Sequence, residues 1–221
     1  MKLGKYIVGL IALTSVQANA AVAITVNTVP TAFRLGAVAD QTIAWDLTVG
    51  ADDILVSSLG YFDYDGDGLE SPSNVAIFQD LGASGQVNLG EVTITGSAGA
   101  MVGNFRYVDL AVPVLLSAGT TYRIAGNTGN DGGNSNSLPF TGGAPLDFTA
   151  DPAIASAGPD FQATSTFGGS VVYPFFELNN AGVFELPLVN VQYDVSTIPE
   201  PSSSLLIGLC GGLFALRRRR S

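Results

Sequence analysis

"NFRYVDLAVPVLLSAGTTYRIAG", residues 104–126, decides the fold class. Two runs rich in β-branched and aromatic residues, 104–116 and 120–126, flank a Ser-Ala-Gly turn. Neither run carries a helical period; both read as strands. Along the first, alternate side chains face opposite sides, so Phe105, Tyr107 and Asp109 share one face and Arg106 and Val108 the other. If the two runs form a hairpin, Arg123 lies on the neighbouring strand. Pro113 cannot donate to a ladder, so the run that holds it is an edge, a bend or a broken strand.

The same texture extends in both directions. Residues 21–27, 41–49, 53–62, 74–78 and 86–95 precede the stretch, and 171–178, with Pro174 inside it, and 182–195 follow. Glycine-rich turns such as "GASG" and "GSAGAMVGN" punctuate them. Many short strands at regular spacing predict an all-β fold, a single β-sandwich of jelly-roll or Ig-like type spanning residues 21–197. The exception is "NTGNDGGNSNSLPFTGGAP", 127–145, which has no core pattern and predicts a long surface loop.

The two ends differ from this body. Residues 1–20 have a basic start at Lys2 and Lys5, an apolar stretch from Tyr6 to Val16, and Ala-Asn-Ala at 18–20. That is the pattern of a secretory signal peptide cut after Ala20. At the other end, the apolar run Leu205–Leu216 stops at Arg217, Arg218, Arg219 and Arg220. Its length corresponds to roughly 18 Å of helix, against about 30 Å of bilayer core. Short apolar length with a strong cationic stop suits transient inner-membrane anchorage.

"PEP", Pro199-Glu200-Pro201, followed by that apolar helix and the arginine cluster, resembles the PEP-CTERM sorting signal of Gram-negative bacteria over residues 198–221. The signal peptide makes the Sec export machinery an expected partner; the resemblance implies recognition by an exosortase with cleavage near Pro199, Glu200 and Pro201, and delivery to the cell surface or an extracellular polysaccharide matrix. A second likeness covers residues 32–193. "LGYFDYDGDGLESPSNVAIF" and "FRYVDLAVPVLLSAGTTYRIAG" resemble an Ig-like or jelly-roll domain of unknown function common among such proteins. It implies a fold and an exported context, and brings no catalytic residues with it.

Composition narrows the chemistry. Residues 21–199 hold 18 acids against only Arg34, Arg106 and Arg123, a net charge of −15. Such a surface repels nucleic acid and anionic membrane. The chain has no histidine, and Cys210 lies within the sorting helix. His-based triads, His-ligated zinc, cysteine nucleophiles and a disulfide within the domain are therefore excluded. With so few arginines, each is expected to pair with an acid. No spacing marks two carboxylates as catalytic partners, and the expectation is a non-enzyme.

"YFDYDGDGLE", residues 61–70, is the candidate site. Asp63, Asp65 and Asp67 alternate before Gly68, as in the start of a calcium loop, and Leu69 offers a carbonyl. The bidentate glutamate of an EF-hand is missing: its place falls on Asn74, and Pro72 intrudes. Glu70, or the amide oxygen of Asn74, can complete a shell instead. Two readings stay open: a calcium site of Asp63, Asp65, Asp67, Leu69 and Glu70, or a solvated acidic turn. Tyr61 and Tyr64, beside the acids, are the candidate platform for stacking on a sugar ring. The leading expectation is an exported, non-enzymatic surface or matrix protein. The alternatives are a calcium-assisted carbohydrate-binding module that holds matrix polysaccharide and a carboxylate-based glycoside-processing enzyme.

Overall fold

The computed structural model describes residues 20–27, 32–34, 41–63, 66–127, 138–140, 148–164, 171, 173, 176–177 and 188–196. Both expected terminal segments, 1–19 of the signal peptide and 198–221 of the sorting signal, lie outside them, as does most of the 127–145 loop. The strands in chain order are β1 (Ala21–Val22), β2 (Ile24–Val26), β3 (Ala32–Arg34), β4 (Gln41–Val49), β5 (Ile54–Phe62), β6 (Leu69–Asp80), β7 (Gln86–Gly96) and β8 (Ala100–Val102). They continue with β9 (Phe105–Leu116), β10 (Thr121–Asn127), β11 (Leu138–Phe140), β12 (Phe148–Ala150), β13 (Ile154–Thr164), β14 (Phe176–Glu177) and β15 (Val189–Val195). The only helical turn among the described residues is a short 3-10 turn at Gly82–Ser84.

Two antiparallel sheets carry the fold. One has the order β1-β15-β5-β9-β8, the other β14-β13-β4-β10-β6-β7. Their inner faces meet in a single core. Trp45, Leu47, Ile77 and Ile124 come from the larger sheet, and Val56, Leu59, Val191 and Tyr193 from the smaller, all buried to within 1 %. Alternation along β4 and β10 sets this: Ile43, Trp45, Leu47 and Val49 point inward, and Ala44 and Asp46 outward. Two hydrogen bonds stitch the layers together. The Trp45 indole N–H donates to the Val189 carbonyl at 2.8 Å, and the Tyr61 hydroxyl to the Asn127 carbonyl at 3.0 Å.

The opening stretch is two strands, β9 and β10, but not a hairpin. β9 pairs with β5 and β8, β10 with β4 and β6, so Ser117–Thr120 carries the chain from one sheet to the other. The Tyr122 hydroxyl accepts the Ser117 N–H at 3.0 Å and braces this corner. A tyrosine tied to backbone a few residues upstream is a recurrent corner device of sandwiches.

Three prolines of the two main sheets fall where the ladders are interrupted. Pro72 sits in the register shift of β6, Pro113 in that of β9 and Pro159 in that of β13. A missing N–H costs nothing where no ladder bond is asked for. Near the N-terminus, Asn190 on β15 holds the backbone of Ile24. Its Oδ1 accepts the Ile24 N–H at 3.1 Å and its Nδ2 donates to the Ile24 carbonyl at 2.6 Å.

Candidate functional site

β5 delivers the acidic turn. Phe62 ends the strand, the Asp63 N–H bonds the Asn104 carbonyl at 2.9 Å, and Asp63 becomes fully buried. Its Oδ1 accepts the Gly66 N–H at 3.0 Å, which closes the turn on itself. Its Oδ2 takes the Arg106 guanidinium, with Nε at 2.8 Å and Nη2 at 2.7 Å. The remaining donors of Arg106 reach the Ser97 carbonyl at 3.0 Å and the Gly66 carbonyl at 3.1 Å. The pair is 5 % and 0 % exposed, so each charge leaves water and is held by its partner and by backbone groups. Gly68 makes the turn possible: its φ is +119°, and a Cβ there would lie 2.9 Å from the carbonyl carbon of Gly96.

This corrects two sequence expectations. Asp63 does not face solvent: it is 0 % exposed, with Oδ1 engaged by Gly66 and Oδ2 by Arg106. Tyr61 is not a stacking platform: its ring is 0 % exposed and its hydroxyl is used across the sandwich. Of the other candidates, Asp67 and Glu70 are exposed and Leu69 is buried in the β6–β7 pairing, while Tyr64 and Asp65 lie outside the described residues. No three acidic, histidine or cysteine side chains among the described residues gather around one point. The described residues alone do not assemble a calcium shell around Asp63, and Asp65 lies outside them.

A second polar constellation lies on the outward face of the larger sheet. Ala44, Ala76 and Ala125 make a low floor on neighbouring strands, and Val171, Phe78 and Tyr173 pack on it. Beside it Arg123 grips Asp46, its direct cross-strand partner, with Nε–Oδ1 at 2.7 Å and Nη2–Oδ2 at 3.0 Å. The guanidinium carbon stands 4.9 Å above the Tyr173 ring. The Tyr173 hydroxyl donates to Asp80 Oδ2 at 3.0 Å, and the Gly82 N–H to Asp80 Oδ1 at 2.8 Å. The Gly82 bond, then that of Tyr173, holds the Asp80 carboxyl below its ordinary range. Burial, then the Asp80 bond, pushes the Tyr173 hydroxyl up to about 12. Of the three arginines expected to pair with acids, Arg106 and Arg123 do so. Nothing local in the sequence singles out Tyr173 from the other aromatics. The short outward residues of β4, β6 and β10, Ala44, Ala76 and Ala125, were the available signal that something covers this face.

The third feature is the exit of the chain. β15 stays paired to its last residue, with Val195 opposite Ile54, and the Ser196 N–H then donates to the Asp53 carbonyl at 2.8 Å. A family model described as the PEP-CTERM protein-sorting motif matches residues 197–220, beginning one residue before the segment expected from sequence. The match speaks for this end of the chain and implies an exported protein sorted by an exosortase. No match to a curated protein was found.

Proposed function

We propose that the chain is a non-enzymatic β-sandwich protein of the bacterial cell surface or exopolysaccharide matrix, released from a transient membrane anchor by an exosortase. The observation that carries this reading is the sorting motif at 197–220, starting directly after the residue that closes the sandwich. The two described arginine–carboxylate pairs support a structural use of charge within the fold. The domain's charge of −15, with no lysine between residues 21 and 199, supports solubility outside the cell. The test is to delete the exosortase in the native host and follow the chain by immunoblot. An uncut form should accumulate in membranes; unchanged processing and release would overturn the proposal.

A further inference from the structure

We propose that the pole of the sandwich around Leu55 and Leu115 is a docking surface for the enzyme that reads the sorting motif. The inference rests on the sorting function proposed above and adds a contact outside the motif itself.

Chain length sets up the argument. The fold holds the backbone through Ser196, and Pro199 lies three residues further on. An extended chain covers at most about 3.6 Å per residue, so Pro199 is no more than about 11 Å from Ser196. That is about the diameter of one helix with its side chains. An enzyme that encloses Pro199-Glu200-Pro201 is therefore pressed against this end of the domain.

The surface beside this exit is apolar. Leu55 and Leu115 are direct cross-strand partners on β5 and β9, so they share one face, and they are 37 % and 53 % exposed. At the far end of the same two strands, Phe62, Phe105 and Tyr107 are buried. Asp194, on the exit strand, is opposite Leu55 on its other side, and Asp52 precedes the strand; both are exposed. An apolar pair with an acid beside it fits a protein surface with an apolar centre and a basic group at its edge. The charge of −15 disfavours anionic lipid as the occupant.

The experiment follows cleavage of the full chain over time in cells that hold the exosortase. Four forms are compared: wild type, Leu55→Thr with Leu115→Thr, and each of these with a flexible Gly-Ser insert of about ten residues after Ser196. Threonine keeps strand propensity at both positions, and matched urea midpoints of the cut domains exclude a folding defect. The expected result is roughly tenfold slower cleavage of the threonine variant at native spacing. The insert should slow the wild-type domain to a similar rate and remove the effect of the leucine changes. Cleavage of the threonine variant at the wild-type rate would overturn the inference. So would faster cleavage with the insert, or an equal loss with and without it, the pattern expected of lipid adhesion. A wild-type chain cut no differently from one carrying Pro199→Ala, Glu200→Ala and Pro201→Ala would instead overturn the sorting function.

Discussion

Arg106 and Asp63 form an ion pair inside the sandwich, and four hydrogen bonds from or to backbone and side chain satisfy the guanidinium and the carboxylate together. Arg106→Met should leave the Asp63 charge buried without its partner. The expected loss is about 3–5 kcal/mol, read from urea unfolding of the exported protein. Adding Asp63→Leu to it should recover part of the loss, since the orphaned charge is then gone.

The same pair predicts the metal response. With both oxygens of Asp63 engaged, calorimetric titration with calcium should show no saturable heat, and the melting temperature should not move on adding chelator. Saturable binding abolished by Asp65→Ala would contradict this.

Trp45 is the chain's single tryptophan and is 1 % exposed, with its N–H on the Val189 carbonyl. Its fluorescence should be blue-shifted in the folded protein and move to the red in one step on unfolding. Trp45→Phe should cost about 1–3 kcal/mol from the unsatisfied Val189 carbonyl, in addition to lost packing.

The dependence of stability on pH should show two arms and a plateau. The Asp80 carboxyl sits lower in the folded state than its ordinary value of 3.8, so its contribution is present above that value and is lost as pH falls below it. Burial raises the Tyr107 and Tyr193 hydroxyls above 10.0, and Tyr173 reaches about 12. Their contribution is complete below pH 10 and is lost as pH rises through the folded values. Without histidine, melting temperature should change little between about pH 5 and 9. Tyr173→Phe should flatten part of the alkaline arm by removing one raised hydroxyl.

The strands that the sequence announces are those whose inward residues are large and β-branched. β4 runs over 41–49, as its alternation predicts, and β5 starts one residue inside its expected range. β13 carried no such signal: "IASAGPDFQAT" is rich in small residues and holds Gly158-Pro159, where its register breaks. β6 extends well before the apolar "NVAIF", because the ladder resumes on the far side of Pro72. The acidic turn shows a different limit. The spacing of Asp63, Asp65 and Asp67 can be read locally, but Arg106 is 43 positions away, and only the β5–β9 pairing brings it to Asp63. Tyr61 misled for the same reason, since its place beside the acids says nothing about which layer it faces.

β15 is the strand nearest the sorting segment, and it lies within its sheet between β1 and β5, not at the rim. It joins the first residues of the domain to the last, with Ala21 opposite Tyr193, and it supplies Val189, Val191 and Tyr193 to the core. A chain that emerges from its N-terminus, as the proposed function has it, cannot complete that sheet until residue 195 has emerged. Closing so long a loop is a slow step in folding. Under the proposed function, a membrane-held tail would give the domain time to fold, and assembly of the sandwich and exposure of the sorting segment would become neighbouring events in one vectorial process.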